Sequence, residues 1–163
     1  MLLIAKSIKE LNFSKLVYLY RVDVEKNRKM YYSHLEPNEG RLCAENDLYH
    51  YLRDVFFGQS KGVYYICEEQ GVYLSALRLE GYEDGLLLNA LVTDEDHRNK
   101  GYASVIFEEI RHSVSASVYS HIHRKNAASI GLHCKFGFEK HKDYAVLLDG
   151  TVSTDHITYI LTD

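Results

Sequence analysis

Leu86-Leu87-Leu88-Asn89-Ala90-Leu91-Val92, then Thr93-Asp94-Glu95-Asp96-His97, then Arg98-Asn99-Lys100-Gly101-Tyr102-Ala103: this stretch decides how the chain is built. Its first seven residues are an almost continuous apolar run behind the turn signal Asp84-Gly85, the pattern of a strand covered on both faces. After the polar connection, Ala103, Ile106, Phe107, Ile110 and Val114 recur at helical spacing, so a helix is expected to begin near Gly101 and continue to about Ser113. The first turn of a helix carries backbone N–H groups with no partner inside the helix, which makes a strand leading into such a turn a device for holding phosphate. Gly101 and Ala103 keep the turn bare enough for an anion to touch the backbone. Arg98 and Lys100 add positive charge beside it, which a pyrophosphate would neutralise.

The 163 residues, 46% hydrophobic and 26% charged, suit one globular domain spanning 1–163 with a real core. A net charge of -4, with basic residues only in small groups such as Lys26 to Lys29 and Arg124-Lys125, argues against a nucleic-acid partner. Met1-Leu2-Leu3-Ile4-Ala5 is too short for a signal or membrane segment, and a cytoplasmic protein with no membrane partner is expected. Cys43, Cys67 and Cys134 lack Cys-x-x-Cys spacing and read as free thiols, buried at least for Cys67 and Cys134.

The rest of the chain reads as mixed α/β. A short strand is expected over Leu2 to Lys6, a helix within Leu11 to Met30, a break at Glu36-Pro37-Asn38-Glu39-Gly40, and a second helix over Ala44 to Phe57 with Gly58 as its stop. Strands over Gly62 to Glu68 and Val72 to Glu80 precede the apolar run, and the turns Glu69-Gln70-Gly71 and Glu83-Asp84-Gly85 suit antiparallel neighbours. Beyond the central helix, Ser115 to Ile122 is a strand candidate. Asn126 then opens a helix that Gly137 closes, with Phe138 folding back on the last turn. Within it Asn126, Ser129 and His133 share one face, and Ala127, Ile130 and Cys134 form an apolar stripe. His121 and His123 project to the same side of their strand, but no Cys or carboxylate stands beside them at a metal-ligand spacing, so no metal site is expected.

Leu91-Val92-Thr93, the Arg98 to Ala103 turn, and Asn126-Ala127-Ala128-Ser129-Ile130-Gly131-Leu132-His133-Cys134-Lys135-Phe136-Gly137-Phe138 resemble, in order and separation, the two core motifs of the GNAT superfamily of N-acetyltransferases. The resemblance implies a mostly antiparallel mixed sheet, flanked by helices and splayed at its central strand, with the pantetheine arm of acetyl-CoA in the slot. It implies that the backbone of Leu91 and Thr93 pairs with pantetheine as an extra strand would, and that a strand amide near Val92 stabilises the oxyanion. The turn Arg98, Asn99, Lys100, Gly101, Tyr102, Ala103 and Ser104 would hold pyrophosphate, Asn126 and Ser129 would reach the same cofactor, and Arg124 or Lys125 the outer phosphate. The implied reaction is direct transfer of acetyl from acetyl-CoA to a primary amine of a small molecule or peptide, without a metal. The alternative is a module of this fold that binds acyl-CoA without turnover.

The family's usual proton-donating tyrosine falls at His133, which becomes the expected general acid, with Tyr102, Tyr119 or Tyr144 as substitutes. Glu80, Glu83 and Asp94 are base candidates beside a water chain. The acceptor pocket implied by the family lies over Tyr31 to Glu45 and Tyr144 to Thr158, where Glu36, Glu39, Glu45, Asp149 and Asp155 suggest a cationic amine. A homodimer is compatible with this reading. A nucleotide-binding α/β domain is disfavoured, since neither Gly-x-x-x-x-Gly-Lys-Ser/Thr nor Gly-x-Gly-x-x-Gly follows a strand.

Overall fold

The structure is a computed structural model that describes residues 1–162. Its first half comprises β1 (Leu2–Ala5), a 3-10 turn (Ile8–Glu10), α1 (Phe13–Leu19), α2 (Arg21–Tyr31) and α3 (Pro37–His50), which widens into a π-helix over Tyr51–Gln59. The strands β2 (Val63–Glu69), β3 (Val72–Tyr82) and β4 (Gly85–Thr93) follow, then a 3-10 turn (Glu95–His97) and α4 (Tyr102–Ser113). The chain ends with β5 (Val118–His123), α5 (Ala127–Lys135), β6 (Glu139–Lys142), the small hairpin β7 (Ala145–Val146) and β8 (Val152–Ser153), and β9 (His156–Leu161).

Seven strands form one mixed sheet in the order β1-β2-β3-β4-β5-β9-β6. Every neighbouring pair in it is antiparallel except β4 with β5, because the connection between these two is the crossover helix α4. The alternation of side chains divides the core in two. Tyr65, Cys67, Leu77, Leu79 and Leu88 pack under Ile106, Phe107 and Ile110 of α4. Tyr64, Ile66 and Ala76 point the other way and pack with Leu16 and Leu19 of α1 and with Leu52 and Phe56 of the π-helix.

The helical region before the sheet differs from the sequence expectation. The segment Leu11 to Met30 is two helices, because Tyr20, at φ -93 and ψ 18, leaves helical geometry between them and turns its side chain inward, where it is 6% exposed. Asn12 caps the first helix, its side chain accepting from the Lys15 N–H at 3.1 Å. The next helix begins at Pro37, seven residues before Ala44. A proline in the first turn has no N–H to lose, so the residue that reads as a breaker is here a start. Gly58 does not stop it, since the chain simply unwinds through wider turns to Ser60.

Two irregularities shape β4. Ala76 pairs with Val92 but Arg78 pairs with Asn89, so the single residue Leu77 faces both Ala90 and Leu91, a β-bulge in which Ala90 adopts φ 52. On its other edge β4 pairs with β5 only at Leu86, Leu87 and Leu88, opposite Val118, Tyr119 and Ser120. Beyond Leu88 the two strands part.

The start of β4 is held tightly to the chain before β5: the Leu86 N–H donates to the Ser117 carbonyl at 2.9 Å, and a Cβ added at Gly85 would lie 2.2 Å from that same oxygen. Gly85 is therefore required for a close backbone approach and not only for a turn. Gly85→Ala is expected to lower stability by about 1–3 kcal/mol in denaturant titration, whereas Gly81→Ala, whose added Cβ meets nothing within 4 Å, stays within about 0.5 kcal/mol of wild type.

Candidate active site

The apolar run delivers Leu91, Val92 and Thr93 to the place where β5 has departed, so backbone groups on that edge of β4 have no neighbouring strand to pair with. Below them the chain turns through Asn99 at φ 60 and Gly101 at φ 90 before α4 begins, two left-handed residues in three, which folds the loop into a concave shape suited to anions. A Cβ on Gly101 would meet nothing within 4 Å, so the space above that residue is open. Neither Arg98 nor Lys100 forms an ion pair among the described residues. Two unneutralised cations flank a helix N-terminus with an open approach.

The parting strands and this turn enclose a cleft of about 470 Å³. The structure brings together along it Leu91, Val92, Thr93, Arg98, Asn99, Gly101, Tyr102, Ala103, Ser104, Asn126 and Ser129, while Lys100 lies outside the lining. Asn126 is the N-cap of α5, its Oδ1 accepting from the Ser129 N–H at 3.1 Å. Ala128, Leu132 and Lys135 complete the α5 wall, and His97 the opposite rim. These four were not singled out from sequence, although 128, 132 and 135 recur at helical spacing and mark one face of α5.

Arg124 does not serve the cleft: its guanidinium donates to the Thr154 carbonyl at 2.6 Å and pairs with Asp143 at 3.0 Å. No partner is present for the Lys125 ammonium among the described residues.

A second cavity, about 410 Å³, shares Leu91, Val92, Thr93, Arg98 and Asn126 with the cleft and extends past Tyr20 to Asp23, Lys26, Asp94 and Glu95. The end of β4 is thus bordered by two cavities. Its outer wall is the α1–α2 junction, not the segments Tyr31 to Glu45 and Tyr144 to Thr158. Glu45 lines a separate depression with Arg41 and Glu25. The acidic residues behind the expected preference for a cationic acceptor are therefore not those of this cavity, where Asp23, Asp94 and Glu95 face Arg21, Lys26 and Arg98.

Asp94 ends the strand as a buried hub, 4% exposed. It accepts from His97 Nδ1 at 2.8 Å, from Arg21 at 2.9 Å and from the Asp96 N–H at 3.2 Å. The His97 hydrogen bond, supported by Arg21, holds its carboxyl below the usual range against the opposing effect of burial. A carboxylate so committed is a poor base. Glu83 is paired with Lys142 at 3.5 Å, and the buried Glu80 accepts from Asn89 Nδ2 at 2.7 Å, one residue before the bulge.

His133, expected as the general acid, does not reach the cleft. The structure places it 1% exposed in the core, edge-on to Phe107 and Phe138 with ring centroids 5.0 and 4.9 Å away, and off the lining of the cleft. Its Nδ1 lies 2.7 Å from the Ser129 carbonyl and is therefore the protonated nitrogen of the neutral ring, while Nε2 has no partner. Burial pulls its pKa down to about 4, only partly offset by the Ser129 carbonyl, so near neutral pH the ring has no imidazolium proton to give. Of the substitutes, Tyr102 lines the cleft but its hydroxyl donates to Glu69. Tyr119 donates to Asp84 at 2.6 Å and its phenol is pushed up to about 12 by that contact, and Tyr144 is 41% exposed and lines neither cavity. His121 bonds Thr158 and His123 receives the Lys125 N–H, and no group of three metal-ligating side chains occurs among the described residues. Cys134 is exposed on α5, not buried. No helix among the described residues is long and apolar enough to cross a membrane.

The mixed seven-stranded sheet flanked by helices is the fold seen in solved structures of N-acetyltransferases. Similar structures include the PaiA N-acetyltransferase of Thermoplasma acidophilum in complex with coenzyme A, 11% identical, covering 100% of this chain and 99% of that one with a TM-score of 0.65. The ribosomal-protein-S18-alanine N-acetyltransferase of Escherichia coli is 17% identical, with coverage of 99% and 93% and a TM-score of 0.57. An N-acetyltransferase of Staphylococcus aureus Mu50 is 18% identical, with 99% and 98% covered and a TM-score of 0.58. No curated protein matches the sequence. The family model of the FR47-like proteins matches residues 64–146, just over half the chain. The chain belongs to that family, and with it to the GNAT superfamily.

The burial of His133 has a pH signature. Its folded pKa lies near 4 and its unfolded one near 6.5, so between these values the unfolded chain binds a proton that the folded protein refuses, and stability falls as pH falls through the window. Wild type is expected to lose about 3 kcal/mol through this residue between pH 7 and pH 4. His133→Leu should flatten that part of the stability curve, and an unchanged slope in the variant would show that another group is responsible.

Proposed function

We propose that this protein is an acyl-CoA-dependent N-acetyltransferase that passes an acetyl group from acetyl-CoA directly to a primary amine. The observation that carries the reading is the open, doubly cationic turn at Gly101 beneath an unpaired strand edge at Leu91 to Thr93. These features fit the two ends of the cofactor: backbone N–H groups, Arg98 and Lys100 for the pyrophosphate, and an extended strand edge for the amide-rich pantetheine arm. Bound there, acetyl-CoA supplies an activated thioester, and an amine entering from the α1–α2 side needs no covalent enzyme intermediate. The chain's own contribution is position and polarity. The strand edge orients the acyl end, and a backbone amide near Val92 offers a donor for developing negative charge.

A second reading, an acyl-CoA-binding module without turnover, draws on His133: the motif position that would donate a proton is sealed inside an aromatic box.

Acetyl-CoA is expected to raise the melting temperature, CoA less so, and ATP or NAD not at all; at about one hundred times Kd the stabilisation is roughly 2.7 kcal/mol. Gly101→Glu, which puts bulk and negative charge at a residue with φ 90, should remove the shift. Arg98→Gln, on an exposed side chain, should weaken it without altering the fold. Normal acetyl-CoA binding by both variants would refute the placement of the pyrophosphate.

Acetyl-CoA-dependent thiol release across polyamines, amino acids, aminoglycosides and peptides tests the reaction itself. Turnover with any amine supports the enzyme, and binding with no turnover across the panel supports the module.

A further inference from the structure

The bulge in β4 is costly where it stands. Ala90 holds a left-handed backbone at φ 52, a conformation that a residue with a Cβ avoids by roughly 1–2 kcal/mol, and glycine is the usual occupant of such a position. Something must hold it. The buried Tyr20 hydroxyl donates to the Ala90 carbonyl at 2.6 Å across 70 residues of sequence. Burial, with Tyr64 adjacent, keeps that phenol's pKa well above its usual 10, so it remains a donor at any working pH. The next residue, Arg21, reaches Asp94 at 2.9 Å. Tyr20 and Arg21, at the break between α1 and α2, therefore hold Ala90 in β4 and Asp94 just beyond its end, on either side of Leu91, Val92 and Thr93.

We propose that Tyr20 and Arg21 are positioning residues, a two-point clamp that fixes the bulged backbone of Leu91, Val92 and Thr93 in the shape that receives the acyl-CoA arm. The break between α1 and α2 serves this purpose: an uninterrupted helix would not turn the Tyr20 phenol down onto the strand. Releasing Ala90 lets the strand relax toward a regular ladder, and a one-residue slip would exchange the faces of all three residues. The functional consequence rests on the acyl-CoA reading of the cleft; the structural consequence does not.

The test uses the ligand-free and acetyl-CoA-bound full chain. In Tyr20→Phe, amide hydrogen exchange at Leu91 to Thr93 should accelerate on the order of tenfold beyond the change at β2 amides, which report the global stability lost with the hydrogen bond. Acetyl-CoA affinity, measured by calorimetry, should fall by a similar factor. Adding Ala90→Gly to Tyr20→Phe should recover much of the affinity, since glycine takes the left-handed conformation without the steric cost. Arg21→Gln should loosen the same amides from the other end. A merely structural tyrosine would speed exchange throughout the sheet and leave the affinity of the folded fraction unchanged. That result, or unaltered exchange at Leu91 to Thr93, or no rescue by Ala90→Gly, overturns the proposal. If wild type binds no acetyl-CoA yet Tyr20→Phe loosens only Leu91 to Thr93, the clamp stands and the acyl-CoA reading falls.

Discussion

Adjacent strands gain hydrogen bonds for every residue they stay together, so a sheet that lets β4 and β5 separate after Leu88 and Ser120 gives up pairing in the middle of the molecule. The neighbouring elements keep the gap open. On one side β5 continues in register with β9 as far as His123 and His156, which draws it away. On the other, the bulge at Ala90 bends β4 toward the α1–α2 junction, where Tyr20 and Arg21 fasten it. The backbone groups left without a strand are what an extended, amide-bearing ligand would satisfy.

Charge acts locally in this protein. The chain is net negative, yet the turn that opens α4 presents two cations, Arg98 and Lys100, that form no ion pair among the described residues. Four of the other arginines are committed: Arg21 to Asp94, Arg28 to Glu25, Arg53 to Asp54, Arg124 to Asp143. An unpaired cation beside bare helix N–H groups leaves a local positive potential that the total charge does not reveal. Asp94 shows the opposite case, a carboxylate so fully used as a hydrogen-bond hub that it fixes loop geometry instead of serving as a base.

The helix α5 combines a cleft wall and a core wall within nine residues. Asn126 and Ser129 meet the cleft, while one turn further on His133 rotates into the aromatic cluster of Phe107, Phe136 and Phe138. Gly137 at φ 91 reverses the chain so that the Phe138 N–H closes on the His133 carbonyl at 3.1 Å and its ring covers the imidazole. A motif position associated elsewhere with proton transfer is here part of the packing.

The sequence by itself determined the strand, turn and helix from Leu86 to Ser113, the Asn126 cap, the Gly137 reversal and the cluster of residues around the cleft. The elements rest on short-range signals: apolar periodicity, a residue with an unusual backbone angle, a side chain bonding three residues ahead; that Asn126 and Ser129 meet the β4 edge and the Gly101 turn at one cleft was implied by the resemblance to the family's two motifs. Tertiary structure decided the rest. The break at Tyr20 is absent from any local pattern, and the partner its side chain meets there, the Ala90 carbonyl, lies seventy residues away. The start of α3 at Pro37 depends on which of proline's two opposite uses, helix breaker or first-turn residue, the surroundings select. The fate of His133 turned on a few tens of degrees of helix rotation, since the same spacing that aligns it with Asn126 and Ser129 also lets it face Phe107. Periodicity gives the face of a helix, and only packing decides what that face meets.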